Sequence, residues 1–302
     1  MTVLISIVIP TYRRIDLIKN LLSALRTQIA SAPDAAAFEV LVVDNCQDQS
    51  AQHVVAEASD IARYIHEPRK GVANARNAGT ADARGQYILF IDDDELPADG
   101  WLEAFRQQAL NGHDASFGPI DPLFETPPQP ETKAILERMF SRHIPAQTGA
   151  DISQWRAHLG SGNSMFKKSS CFRGESPFDT RFNDGGEDVW LLRQLVDDHG
   201  IRLTWCAGAL VYEIVPEDRM TNTYIAARKF KDGQLRCRIE AGAGGVRGLG
   251  RVSLWMMAGL IQFSLYGIAM LCFQLMSRER AAEMRMKMAG GAGKLLWWRL
   301  LG

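Results

Sequence analysis

Residues 86–97 run Gln-Tyr-Ile-Leu-Phe-Ile-Asp-Asp-Asp-Glu-Leu-Pro, an apolar stretch that ends in three consecutive aspartates. A strand buried on both faces of a parallel sheet reads as such a continuous apolar run. Open α/β sheets bind ligands just past the carboxyl ends of their strands. Asp92, Asp93 and Asp94 repel one another there, so a fold keeps them together only with a compensating cation. Oxygen ligands without His or Cys favour a hard divalent ion, Mg²⁺ or Mn²⁺. Such an ion at a sheet edge usually holds a diphosphate. The competing reading is a solvated acidic turn.

The segments before this run support the first reading. An apolar strand at 3–9 leads to the turn Pro10-Thr11-Tyr12-Arg13-Arg14, and a helix follows with Leu17, Leu21, Leu22 and Leu25 on one face. A second strand, 38–43, ends in Asp44-Asn45; a helix over 50–59 and a short strand over 62–65 come next. The loop that then enters a helix carries Arg69, Lys70 and Arg76, either an anion site or a solvated basic helix start. This alternation predicts a mainly parallel sheet with helices on both faces. Further on, 119–130 holds five prolines and reads as a loop or linker. Gly185-Gly186 permits a tight turn before a helix opened by Glu187 and Asp188.

A net charge of −1 argues against a general nucleic-acid binder. Five scattered cysteines without a CxxC fit a reducing compartment and no zinc site. No basic-then-apolar leader opens the sequence, so no secretory signal is expected. The tail differs in character. Residues 239–251 are rich in Gly and Ala and read as a hinge, and 252–276 carry no charge. A helix of that length can cross a ~30 Å hydrocarbon core. Basic residues flank it on both sides, and Trp297 and Trp298 sit among cations near the end. A membrane span, an in-plane or re-entrant helical hairpin and a soluble core helix all remain open.

Five motifs in order resemble the family 2 glycosyltransferases of GT-A fold, and within them the bacterial succinoglycan-type exopolysaccharide glucosyltransferases. They are Val8-Ile9-Pro10-Thr11-Tyr12-Arg13, Val42-Val43-Asp44-Asn45, the 71–79 segment Gly-Val-Ala-Asn-Ala-Arg-Asn-Ala-Gly, Phe90-Ile91-Asp92-Asp93-Asp94 and Gly185-Gly186-Glu187-Asp188. The resemblance implies a GT-A domain over 1–238, split into a nucleotide-binding half (1–118) and an acceptor-binding half (119–238), then the 239–251 hinge and a membrane-associated helical tail over 252–302. It implies a UDP-sugar donor, with Pro10, Thr11, Arg13 and Asp44 about the nucleoside and Arg76 near the nucleotide. Asp92 matches the aspartate near the ribose, Asp93 stands between, and Asp94 matches the metal ligand. Asn163 falls in the segment lining the sugar pocket. Asp188 matches the general base and Glu187 is its paired acid.

The implied reaction is one inverting, in-line displacement. It moves a hexose, glucose by the nearest subgroup, to a hydroxyl of a lipid-linked oligosaccharide at the cytoplasmic face of the inner membrane. Mg²⁺ or Mn²⁺ assists UDP departure. One departure stands out: Glu213 occupies the place of a family histidine that helps bind the metal. A carboxylate there still suits a hard cation, but the change also admits a non-catalytic, nucleotide-sugar-binding membrane scaffold. A nucleotidyltransferase on a similar sheet needs glycines after the first strand, and residues 10–14 have none. Self-association through the apolar tail stays open.

Overall fold

A computed structural model describes residues 3–301. The first part alternates strand and helix: β1 (Ile5–Thr11), α1 (Ile15–Ala30), β2 (Phe38–Asp44), α2 (Gln52–Glu57), β3 (Ala62–His66), α3 (Val72–Asp82) and β4 (Tyr87–Phe90). There follow β5 (Glu95–Pro97), α4 (Trp101–Leu110), β6 (Ala115–Phe117), β7 (Ile120–Phe124) and α5 (Pro130–Phe140). Then come β8 (Ser164–Lys167), α6 (Lys168–Cys171), α7 (Glu187–Arg193), β9 (Leu203–Trp205) and β10 (Val211–Val215). Three α-helices follow, α8 (Asn222–Gly242), α9 (Gly245–Gln274) and α10 (Arg278–Leu295), before a short 3-10 turn at Trp297–Leu301.

Seven strands form the main sheet in the order β3-β2-β1-β4-β8-β6-β9. β8 runs antiparallel to both neighbours and the other pairings are parallel. The central strands β1, β2 and β4 are buried on both faces, as their apolar runs require. Ile7, Val42 and Leu89 enter one core, while Val8, Leu41 and Phe90 enter the other. Because side chains alternate along a strand, this split places packed helices on both faces, as expected. Gly79 brings α3 onto β1: an added Cβ would stand 2.4 Å from Val8 Cγ1. Phe90 packs edge-on against Phe178 and Phe166, with ring centres 5.4 and 6.1 Å away. That packing fixes the end of β4 just before the acidic run.

Two sequence expectations change. The proline-rich 119–130 stretch contains β7, in a second sheet of order β5-β10-β7. β7 lies at that sheet's edge, where Pro122 costs no ladder hydrogen bond. The expected hinge at 239–251 is helical apart from Ala243 and Gly244. Compactness also divides the chain differently from a boundary at 238. One unit comprises the chain up to Leu123 plus Ser141–Ile214; the other comprises Phe124–Phe140 with everything from Val215.

Candidate active site

Parallel register brings the predicted residues to one edge of the sheet. Thr11 pairs with Asp44, and Val8 with Phe90, so the ends of β1, β2 and β4 lie together. Thr11 Oγ1 donates to Asp93 Oδ2 at 2.8 Å. Glu213 is directly opposite Glu95 in the β10–β5 pair, and the Ile214 N–H donates to Asp94 O at 2.7 Å. The start of β8 is likewise opposite the end of β4, so the 160–163 loop runs beside Asp92. That approach requires glycine. A Cβ on Gly162 would stand 2.7 Å from Asp92 Oδ2, and one on Gly160 would stand 3.2 Å from Asp188 Oδ2. Gly162→Ala is expected to lower kcat/KM about 10²-fold through displacement of Asp92, and Gly160→Ala much less. Steady-state kinetics of the two variants checks that ranking.

Two acids of the 187–188 pair have different surroundings. Left-handed Gly185 (φ 124°) and Gly186 (φ 92°) turn the chain into α7. Glu187 is buried and ion-paired with Arg76, which also donates to Asp92 Oδ1 at 3.1 Å. Burial and then Asp188 push the Glu187 carboxyl up to about 7, against the pull of Arg76. Asp188 is half-buried; its Oδ1 accepts from the Val189 N–H at 2.7 Å, and its Oδ2 faces Gly160. The α3 asparagines hold this segment in place. Asn77 exchanges two bonds with the Phe178 backbone, and the Asn74 N–H donates to Asn183 Oδ1.

Several expected ligand-binding groups are engaged within the protein. Asp44 is fully buried and accepts from the Cys46 and Ala51 N–H groups and from Tyr64. Arg13 turns to Cys46 and Asp48, and half-buried Pro10 stays within β1, opposite Val43. At the start of α3 the Gly71 N–H donates to Asn45, Arg69 pairs with Glu67, and Arg76 points inward. An open anion site is therefore not what this helix start offers. Asn163 is buried: its Oδ1 accepts from Trp101 Nε1, and its Nδ2 donates to Pro119 O and Ala209 O.

Three residues of consequence went unassigned from sequence. Arg14, not Arg13, reaches the aspartates, donating to Asp93 Oδ1 at 2.6 Å and Asp94 Oδ2 at 2.9 Å. Glu95 is buried and accepts the Asp92 N–H at 2.9 Å. Arg142 is a buried cation whose guanidinium donates to the carbonyls of Gly118, Gly160, Gly162 and Asn163. It thereby clamps the 160–163 loop. The doubled arginine at 13–14 and the acid after three aspartates are visible signals for the first two; no motif surrounds Arg142.

Burial pushes Asp93 up to about 6 against the pull of Arg14. Burial, then Asp92, raises Glu95 well above the ordinary range, with Arg142 opposing. Burial therefore disfavours bare charge on both carboxyls. In kind, the all-oxygen set suits a hard divalent ion. In number it falls short: among the described residues no three His, Cys, Asp or Glu side chains converge as a ligand group. Asp94 and Glu213 would need further oxygens from a ligand's diphosphate.

The sequence model described as "Glycosyl transferase family 2" matches residues 6–171. The chain is similar to the succinoglycan biosynthesis protein ExoM of Rhizobium meliloti (strain 1021), with 27% identity over 296 residues, covering 96% of this chain and 92% of that protein. Its fold is similar to that of the mannosyltransferase PcManGT from Pyrobaculum calidifontis, solved with GDP-Man and Mn²⁺ (TM-score 0.61, 18% identity, 98% of this chain and 88% of that one). It is also similar to S. aureus TarS 1–349 in complex with UDP-GlcNAc (TM-score 0.54, 15% identity, 98% and 92%).

Proposed function

The chain belongs to glycosyl transferase family 2, and from that premise we propose that it is an inverting transferase moving a hexose, glucose in the first instance, from a UDP-sugar to a hydroxyl of a lipid-linked oligosaccharide. The setting is cell-surface or exopolysaccharide assembly at the cytoplasmic face of the plasma membrane. The succinoglycan relative supports that setting because the likeness extends over nearly the whole of both chains, apolar tail included.

The observation that carries the mechanism is the contrast within the acid pair. Glu187 is locked to Arg76, whereas Asp188 directs one oxygen at the loop beside Asp92. Asp188 removes the proton from the acceptor hydroxyl as that oxygen attacks the anomeric carbon. The anomeric carbon–oxygen bond breaks and the nucleoside diphosphate leaves, so no covalent intermediate is needed. Thr11 and Asp44, both buried, with half-buried Pro10 and exposed Arg13, shape the nucleoside side of the site. Asp92 and Asp93 line the sheet edge, and Asn163 with Arg142 holds the loop over the sugar. Asp94, with Glu213, would hold Mg²⁺ or Mn²⁺; when bound, that ion neutralises charge on the departing diphosphate.

Isothermal calorimetry with UDP, GDP and CDP tests the donor assignment. UDP-selective binding with Mn²⁺, lost in EDTA, is expected. No nucleotide binding by folded protein would overturn the donor assignment and the transferase reading with it.

A further inference from the structure

α9 has an inward and an outward side. At 100° per residue, Trp255, Gly259, Gln262, Tyr266 and Phe273 fall on one narrow line. Each meets α8 or α10. Arg236 and Lys294 stand over Trp255 at 5.0 and 5.5 Å, Lys287 over Tyr266 at 5.6 Å and Arg280 over Phe273 at 5.6 Å. A Cβ on Gly259 would lie 3.0 Å from Gly291 O, so α9 and α10 touch backbone to backbone there. Gln262 accepts from Lys294 Nζ at 2.5 Å and donates to Lys287 O at 2.8 Å. The opposite stripe, about 140° wide at that spacing, is mostly apolar and open: Leu254, Met257, Leu260, Ile261, Leu265 and Ile268 are all 55% exposed or more.

This arrangement separates the topologies that composition leaves open. A helix of 30 residues is about 45 Å long, and Gln262 lies near its middle. If α9 crossed a bilayer, the Lys294 ammonium would sit near the centre of the hydrocarbon. α10, packed along α9, would bring Arg285, Lys287 and Glu283 in with it. Charge at that depth is expensive. A soluble core helix is equally unsuitable, since only 6% of its most apolar window is buried. A one-sided apolar stripe backed on its opposite side by cations is the pattern of a helix lying in an interface. Residues 222–301 carry thirteen Arg and Lys against four Asp and Glu, which suits anionic headgroups.

We propose that the α8–α10 unit docks on an anionic lipid bilayer from one side, with α9 in the membrane plane, its Leu254–Ile268 stripe in the acyl region and α10 in the headgroup layer. The inference rests on the membrane-surface reading above and makes it specific.

Two measurements on the full chain test it. The first is flotation with vesicles of phosphatidylcholine alone or with added phosphatidylglycerol. Binding is expected only with the anionic lipid, weakened by salt, and lost in Ile261→Glu/Ile268→Glu at an unchanged melting temperature. The second uses Met276→Cys, in the exposed α9–α10 turn, in a Cys272→Ser background; the remaining four cysteines are buried. A membrane-impermeant maleimide is expected to label it from the cytoplasmic face only. Labelling from the outer face, or protection on both faces until detergent is added, would overturn the in-plane placement while leaving membrane attachment intact. Failure to float, or a dimer in solution that the double variant dissolves, would overturn attachment itself.

Discussion

Asp188→Asn is expected to lower kcat about 10³-fold, within the range for loss of a general base, while UDP affinity and melting temperature stay near those of the wild type. The expectation follows from placement. Among the described residues Asp188 accepts a hydrogen bond in the first turn of its own helix and makes no ion pair, so removing its charge breaks no buried pair. Glu187→Gln should behave in the opposite way. It strands Arg76, whose side chain is 6% exposed, against Asp92 alone, and breaking a buried pair costs about 3–5 kcal/mol. Kinetics and urea denaturation on the two variants separate base from brace. Normal turnover by Asp188→Asn would remove the base assignment.

Arg142→Met is expected to cost about 3–5 kcal/mol of stability, the range for leaving buried charge uncompensated. Four backbone carbonyls lose their donor together, and Glu95, Asp92, Asp188 and Glu213 lose the nearby positive charge. Arg142→Lys should recover little, because an ammonium has no planar fork to serve carbonyls on both sides of the loop. The urea midpoint reads both variants. A shift worth less than about 1 kcal/mol, the net value of a single ordinary hydrogen bond, would show that the loop is held by other means.

The sheet's first half was legible because β1, β2 and β4 are buried on both faces and so write themselves as unbroken apolar runs. The acids at their ends were legible for the same reason: a strand end fixes where the next residue sits. Arg142 was not, because it follows the proline-rich stretch and acts through carbonyls that no side-chain pattern announces. Arg13 and Arg14 look alike in sequence, yet it is Arg14 that reaches Asp93 and Asp94. Arg13 sits at φ 56°, and that left-handed turn sends its side chain toward Asp48. The glycines of 239–251 looked like a hinge, yet Gly248 is where α9 begins against α8, an added Cβ standing 2.9 Å from Glu240 O. A glycine that admits a neighbouring backbone looks the same in sequence as one that admits a bend. β7 was hidden because an edge strand tolerates the prolines that a central one excludes.

The proposed reaction is a single displacement at the anomeric carbon driven by Asp188. The direct measurement is the anomeric configuration of the product formed from an α-linked UDP-glucose donor and a membrane-lipid acceptor fraction, read by NMR as UDP is released. A β-linked product is expected, formed by the wild type and nearly absent with Asp188→Asn. An α-linked product would contradict it, because retention requires a different reaction path from the one this site is built to support.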